Sequence, residues 1–211
     1  MLLYIVRHGQ TDYNIIRRIQ GQSNSQLTDL GRQQAALLAA LLAKRLAHTT
    51  FNAFYTSDLD RAMDTAKTIH PIGDFVLDKR LRERAFGQWQ GLNYMEIKKE
   101  FPELISRYES YDPTFAPPGG ESWNQMRERA KSFIDDMAER HANDDTVLAV
   151  SHGGLIKAVM AVVCDPELKL PGLPTPTGPV DNTAITKFTL LNGKWRLNVW
   201  NDTAHLEDNW N

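Results

Sequence analysis

The 211-residue chain has one cysteine, no long apolar run and little net charge. Its single cysteine, Cys164, excludes an internal disulfide and a cysteine-based zinc site. The N-terminal apolar run covers only residues 2–6, and no stretch approaches the length of a membrane span. The net charge is −2 and the pI is about 6.3, so neither nucleic acid nor a membrane is an expected partner. We therefore expect a cytoplasmic protein in which any anion site is formed locally by a few cationic side chains.

The composition is that of an ordinary globular protein, with 42% hydrophobic and 24% charged residues. The chain shows no repeats, low-complexity tracts or linkers, and we predict a single domain over residues 1–211. Strand-like and helix-like segments alternate along it, which is typical of the α/β class.

Three side chains are predicted to cap helices. Thr28 precedes a segment with leucines at helical spacing. Ser57 is expected to cap the helix after the second strand, with Asp60 as the acidic partner of an approximate capping box. Ser122 and Gln125 match the same motif at the start of a strongly periodic segment.

Three further segments have distinctive compositions. Residues 84–121 are rich in aromatic side chains and weakly periodic, which indicates an insertion over a sheet edge. The proline-rich residues 165–181 are predicted to form a loop. Asn192-Gly193 separates two apolar runs and predicts an antiparallel hairpin with a type I′ turn. Substrate specificity is expected to depend on residues 84–125 and on the loop at 165–181.

Two predicted strands end in a similar way, one at Arg7-His8-Gly9 and the other at Ser151-His152-Gly153. A third strand–helix junction places Arg61 in the first turn of a helix. In a mainly parallel sheet these junctions share the carboxyl edge, where ligands bind. Two arginines and two histidines near helix N-termini favour a dianionic phosphoryl group. The sequence therefore predicts a phosphate site at this edge.

A proton donor for a leaving oxygen is available in Glu83, which follows the third predicted strand. The sequence contains no cluster with metal-ligand spacing and no Walker-type glycine loop, so we expect neither a metal nor a cofactor. This favours a nucleophilic role for His8 over a ligand role. Arg84 is either a salt-bridge partner or a substrate contact, whereas Arg80 and Arg82 are expected to be solvated.

Five motifs occur in the order found in the histidine phosphatase superfamily, and the chain resembles that family over residues 1 to about 160. They are Arg7-His8-Gly9-Gln10-Thr11 with Asn14, Leu27-Thr28-Asp29-Leu30-Gly31, Ser57-Asp58-Leu59-Asp60-Arg61-Ala62 with Thr65-Ala66, Glu83 with Phe86-Gly87, and Ser151-His152-Gly153-Gly154. The resemblance implies a phosphoglycerate mutase-like fold, a three-layer α/β/α sandwich around a mainly parallel mixed sheet.

The same resemblance implies roles for individual residues. His8 is implied to be the phosphorylated nucleophile and Glu83 the general acid and base. Arg7, Arg61 and His152 are implied to bind the phosphoryl oxygens. Further phosphate or substrate contacts are implied for Asn14, Gln20, Gly21, Ser23, Gly153 and Asn182.

The insertion separates the mutases of this family from its phosphatases. Mutases carry two basic residues before a Ser-Tyr-Asp-like stretch, whereas here Tyr108-Glu109 precedes Ser110-Tyr111-Asp112. Residues 118–122 resemble the phosphatases, although residues 90–93 are mutase-like. We predict a metal-independent phosphomonoester phosphatase that acts through a phosphohistidine on a small phosphorylated metabolite. The alternatives are a cofactor-dependent phosphoglycerate mutase and a non-catalytic module that binds phosphorylated ligands.

Overall fold

The computed structural model describes residues 1–45, 50–165 and 178–207, so most of the loop predicted at 165–181 lies outside the described residues. The strands are β1 (Leu2–Arg7), β2 (Ala53–Thr56), β3 (Val76–Leu77), β4 (Thr146–Ser151), β5 (Ile185–Leu191) and β6 (Lys194–Asp202). The helices are α1 (Asp12–Ile15), α2 (Asp29–Arg45), α3 (Asp60–Ile69), α4 (Tyr94–Glu100), α5 (Pro102–Glu109), α6 (Trp123–Arg140), α7 (Gly153–Cys164) and α8 (Ala204–Glu207). Short 3₁₀ helices occur at Lys79–Leu81 and Gly87–Trp89. None of these described helices is long and apolar enough to span a membrane.

The strands form one sheet in the order β3-β2-β4-β1-β5-β6. Strands β3, β2, β4 and β1 run parallel, whereas β5 pairs antiparallel with both β1 and β6. The turn between β5 and β6 has φ values of 51° at Asn192 and 72° at Gly193, as a type I′ turn requires. The predicted mainly parallel mixed sheet and the predicted hairpin are confirmed.

Alternate side chains of the central strands pack against helices on opposite faces of the sheet. Leu3 of β1 lies in a core cluster with Phe133 of α6 and Leu155 of α7. Val6, which points to the other face, packs with Leu38 of α2. The two-residue period of the strand therefore places helices on both sides. The three-layer sandwich expected from the family resemblance is confirmed.

Two of the predicted helix caps are confirmed. The Ser122 hydroxyl accepts the Gln125 N–H at 3.2 Å, and the Gln125 amide oxygen accepts the Ser122 N–H at 2.7 Å. These reciprocal bonds satisfy backbone donors at the start of α6. At the start of α2, the Thr28 hydroxyl accepts the Gly31 N–H at 2.9 Å.

The predicted cap at Ser57 is wrong. Helix α3 begins at Asp60, and its N-cap position is Leu59, which makes no side-chain cap. The Ser57 hydroxyl instead accepts the Leu59 N–H at 3.3 Å, only two residues further along the chain. A capping box needs a spacing of three residues from the true N-cap. Ser57 therefore lies directly after β2 and does not cap the helix.

The insertion at residues 84–121 contains more helix than its weak periodicity indicates. Helices α4 and α5 are only seven and eight residues long, so each supplies about two turns to a periodic pattern. They enclose a small core of their own, formed by Trp89, Ile97, Ile105 and Phe115. The insertion therefore has a packed interior next to the main sheet.

Candidate active site

Three polar residues follow directly after neighbouring parallel strands. His8 follows β1, His152 follows β4 and Ser57 follows β2. The register pairs Arg7 with Ser151, so the carboxyl ends of β1 and β4 lie at the same level. The ring centroids of His8 and His152 are 5.1 Å apart. The structure thus brings the two predicted histidines together at the edge where ligands bind in such sheets.

The His8 imidazole is 2% exposed and has a defined proton arrangement. Its Nδ1 lies 2.7 Å from the Gly9 carbonyl oxygen, which can only accept, so the proton is on Nδ1. Its Nε2 carries the lone pair and accepts a hydrogen bond from Arg61 Nε at 3.3 Å. Burial, followed by the charges of Arg7 and Arg61, holds the pKa of His8 well below its ordinary value. A neutral imidazole whose Nε2 carries the lone pair is the form that can act as a nucleophile.

Arg61 is 1% exposed and is fixed by a loop from the other side of the site. Its Nη1 donates to the Ser23 carbonyl oxygen at 2.8 Å, and its Nη2 donates to the Gly21 carbonyl oxygen at 2.7 Å. Only the Nε edge of the guanidinium is directed at His8. Burial lowers the pKa of Arg61 to about 10, which leaves the group charged at neutral pH.

The loop that holds Arg61 depends on close packing at Gly21. This residue has a φ of +52°, and a Cβ on it would lie 2.4 Å from the Gln90 side-chain oxygen. Glycine is therefore required there for both reasons. Gln90 also donates from Nε2 to the Ser23 hydroxyl at 3.1 Å. Gln90 therefore connects the insertion at residues 84–121 to the loop that contains Gly21 and Ser23.

Arg7 presents a buried donor that has no partner among the described residues. Its Nη1 donates to the Val180 carbonyl oxygen, whereas its Nε is buried and unbonded. Gly153, the first residue of α7, lies against this side chain, since a Cβ there would be 3.6 Å from Nε. Burial lowers the pKa of Arg7, and the charge of Glu83 opposes that effect. A buried unpaired donor costs free energy unless a ligand completes its bonding.

His152 is fully buried, and Ser57 determines which of its nitrogens is protonated. His152 Nε2 lies 2.9 Å from the Ser57 hydroxyl oxygen, which already accepts the Leu59 N–H. The hydroxyl proton is therefore available for Nε2, and the ring proton of a neutral His152 lies on Nδ1. Burial, followed by the charge of Arg61, holds the pKa of His152 well below its ordinary value. Nδ1 has no partner within residues 1–45, 50–165 and 178–207.

The Glu83 carboxylate is held by two backbone donors. Its Oε1 accepts the Arg84 N–H at 2.8 Å, and its Oε2 accepts the Gly154 N–H at 3.0 Å. A Cβ at Gly154 would lie 2.1 Å from Oε1, so any larger residue would displace the carboxylate. Gly154 belongs to the first turn of α7, whose N–H groups favour negative charge.

The remaining predicted site residues form hydrogen bonds around the backbone of His8 or within their own loops. Asn182 Nδ2 donates to the His8 carbonyl oxygen at 3.0 Å and to Asn14 Oδ1 at 3.4 Å. Asn14 also caps α1, through reciprocal bonds with Thr11. Gln20 is engaged inside its own loop, where its Oε1 accepts the Ser25 hydroxyl at 2.6 Å. Of this group, Asn182 is the residue that contacts His8.

Two arginines before Glu83 are paired, so the expectation that they are solvated is wrong. Arg82 forms a bidentate ion pair with Asp58, with both N–O distances at 2.6 Å. Arg80 contacts both Asp78 and Asp136, at 2.6 and 2.7 Å. These pairs fix the segment that leads to Glu83, because forked guanidinium–carboxylate contacts restrict geometry.

Arg84 forms hydrogen bonds with backbone carbonyl oxygens of the insertion. It is therefore neither the salt-bridge partner nor the substrate contact that the sequence predicted. Its Nε donates to the Glu121 carbonyl oxygen at 2.7 Å, and its Nη2 donates to the Phe115 carbonyl oxygen at 2.8 Å. It thereby ties the start of residues 84–121 to their end. Burial lowers the pKa of Arg84.

Ser57 and Gln90 are the site residues that sequence reasoning missed. The signal for Ser57 was its place directly after a parallel strand, which it shares with His8 and His152. Gln90 lies in the mutase-like residues 90–93, but its contact with Ser23 joins distant parts of the chain and no local pattern predicts it. Among the described residues, no group of three or more histidine, cysteine, aspartate or glutamate side chains could hold a metal ion.

Comparison with known proteins identifies the family of this chain. Residues 3–203 match the family model of the histidine phosphatase superfamily (branch 1). The chain is 35% identical to glucosyl-3-phosphoglycerate phosphatase of Mycobacterium tuberculosis over 222 residues, which cover 97% of this chain and 96% of that protein. It is 32% identical to metal-independent phosphoserine phosphatase of Arabidopsis thaliana over 208 residues, with coverages of 97% and 82%. The solved structure of Bacillus stearothermophilus YhfR matches with a TM-score of 0.84 and 33% identity, covering 97% and 98% of the two chains.

This chain belongs to the histidine phosphatase superfamily. The family and the phosphatase class predicted from the sequence are confirmed. The named relatives are phosphatases, and the one from Arabidopsis thaliana is described as metal-independent.

Proposed function

We propose that this chain hydrolyses a small phosphorylated metabolite through a phosphohistidine formed at His8. The observation that carries the proposal is the buried neutral imidazole of His8, with its proton on Nδ1 and its lone pair on Nε2. Unpaired donors on Arg7 and His152 lie in the same site and suit the oxygens of a phosphoryl group. The relatives that are named as phosphatases also support hydrolysis of a phosphate ester by this chain. A cytoplasmic location remains a proposal that rests on composition alone.

The first chemical step transfers the phosphoryl group to His8. Nε2 attacks phosphorus in line with the leaving oxygen, the P–N bond forms and the P–O bond breaks. Glu83 enters this step in its protonated form and gives the proton to the leaving oxygen, which departs as an alcohol. As His8 Nε2 forms the P–N bond, it releases the Arg61 Nε–H, which then donates with Arg7 and His152 to the phosphoryl oxygens, where charge accumulates in the transition state.

The second step returns the enzyme to its starting form. A water molecule attacks phosphorus on the face opposite His8, and Glu83 now accepts a proton from that water. The P–N bond breaks, Nε2 recovers its lone pair, and inorganic phosphate leaves. Asn182 and the Gly9 carbonyl hold the His8 backbone and ring in place through both steps.

The test of this function is phosphate release from a panel of phosphomonoesters in the presence of EDTA. We expect EDTA to leave the rate unchanged, because the described site holds no cluster of metal ligands. Loss of activity in EDTA that a divalent ion restores would contradict the proposal. So would interconversion of 2- and 3-phosphoglycerate that needs a bisphosphorylated primer and releases no phosphate, since that result identifies a mutase.

Replacing Ser57 with alanine is expected to lower kcat about tenfold with little change in KM, since one hydrogen bond to the His152 ring is lost. Without the hydroxyl, the Nδ1-protonated form of His152 is no longer favoured, and this form is needed most in the transition state. Inhibition by vanadate, a transition-state mimic, should weaken in parallel with kcat. The variant Ser57→Thr keeps the hydroxyl and should restore most of the rate. Equal losses in both variants would contradict a role through the hydroxyl.

A further inference from the structure

Lys157 is a cation beside the active site that neither the sequence motifs nor the mechanism uses. It lies on α7 and is partly buried. Within the described residues it makes no hydrogen bond and no ion pair. Burial lowers its pKa, the Glu83 carboxylate opposes that effect, and Arg7 adds to it. A partly buried ammonium group without a partner is unfavourable, unless a ligand supplies the opposite charge.

The direction of the side chain follows from its place on the helix. Long helical side chains point back toward the helix N-terminus and cover the preceding turn. For Lys157 that turn consists of Gly153 and Gly154, which have no side chains to obstruct it. A Cβ at Gly154 would contact Glu83, and a Cβ at Gly153 would contact Arg7. The Lys157 ammonium therefore extends toward the side of the site where Glu83 lies.

Glu83 serves the leaving oxygen in the proposed mechanism, so its surroundings are those of the leaving group. Both of its oxygens already accept backbone N–H groups, and it forms no ion pair with Lys157. On this arrangement, and resting on the proposed function, we propose that Lys157 binds a carboxylate carried by the alcohol portion of the substrate. The preferred substrate class is thus a phosphomonoester of a hydroxy acid.

The chemistry of the ammonium group favours a carboxylate over a second phosphate. A single ammonium is a compact point charge that matches one negative charge, whereas sites for dianionic phosphate usually employ arginine forks. The arginines of this site have other roles. Arg7 and Arg61 serve the transferred phosphoryl group in the proposed mechanism, and Arg84 is engaged with the backbone of the insertion. A cationic leaving group would be repelled by Lys157 and Arg7 together.

The experiment compares matched substrate pairs that differ only in the carboxylate. 3-Phosphoglycerate is compared with glycerol 3-phosphate, and phosphoserine with phosphoethanolamine. In the wild type we expect kcat/KM to be higher for the acid of each pair. In Lys157→Met this preference should fall about 10- to 100-fold, mainly through KM, as expected for a lost hydrogen bond between charged groups. Lys194→Met is the control, because Lys194 is exposed and lies at the β5–β6 turn.

The outcomes separate the two proposals. Equal loss on both members of a pair would overturn the carboxylate assignment, because Lys157 would then act on Glu83 or on the fold. A wild type that prefers the carboxylate-free esters would overturn it as well. Failure of the wild type to release phosphate from any ester, including p-nitrophenyl phosphate, would instead refute the proposed function. A preserved preference in Lys157→Met would show that another group binds the acid.

Discussion

Replacing His8 with alanine is expected to reduce phosphate release by at least about 10³-fold, the order of loss when a nucleophile is removed from a covalent mechanism. The chain should also lose its ability to retain label from a ³²P-phosphomonoester. In the wild type the retained label should be labile in acid and stable in alkali, as the P–N bond of a phosphohistidine is. We would measure steady-state phosphate release. We would also quench the reaction rapidly without acid and detect the protein-bound label on denaturing gels.

His70→Ala is the matched control, because His70 lies at the C-terminal end of α3 and stacks on Phe54 at a centroid distance of 4.0 Å. It should keep both turnover and label. A second variant, His8→Asn, tests whether the loss of activity in His8→Ala is caused by misfolding. The asparagine amide can preserve part of the hydrogen bonding that His8 makes, including that to the Gly9 carbonyl oxygen. Label retained in both His8 variants would place the covalent intermediate on another residue and overturn the mechanism.

Replacing Glu83 with glutamine is expected to change the kinetics in a manner that depends on the leaving group. Alkyl phosphates should lose about 10²- to 10⁴-fold in kcat, because general acid catalysis of alkoxide departure is removed. p-Nitrophenyl phosphate needs no proton to leave, so it should still phosphorylate His8 quickly. Hydrolysis of the phosphohistidine should remain slow, because no base activates the water. Stopped-flow measurements should therefore show one equivalent of nitrophenolate in a burst, followed by slow turnover.

Glu128→Gln serves as the control for this experiment, since Glu128 is exposed on α6. It should behave like the wild type with both kinds of substrate. A Glu83→Gln enzyme that slows alkyl and nitrophenyl esters equally, with no burst, would refute the role of Glu83 as general acid. The amide oxygen can still accept one of the two N–H groups, from Arg84 or from Gly154, so only one hydrogen bond is lost and loss of folding is not the expected outcome.

The parts of this site that the sequence predicts are those produced by strand periodicity. A short apolar run that stops at His8 or His152 defines a strand end, and parallel strands bring such ends to one edge. Local capping chemistry is equally visible, as at Ser122, because donor and acceptor lie three residues apart. These features depend on neighbours within a few positions of the chain.

The features that sequence reasoning missed depend on contacts between distant segments. Arg61 is fixed by carbonyl oxygens at Gly21 and Ser23, about 40 residues earlier, and backbone acceptors carry no sequence signature. Serine is a residue type that often caps helices, yet the Ser57 hydroxyl forms a hydrogen bond with His152, 95 residues later. Tertiary contacts override local preference in such cases.

The position of β1 in the sheet has a consequence for biosynthesis. The proposed nucleophile, His8, follows this strand, yet the strand's two partners lie far along the chain, since Leu2 pairs with Thr146 on one side and Thr189 on the other. During translation β1 must therefore remain unpaired until most of the polypeptide has been made. A nascent chain contains His8 early but cannot present it to a phosphate ester until the ribosome has released the residues of β5. Catalytic competence is thus expected to appear late, and a partly synthesised chain exposes an apolar strand that chaperones can bind.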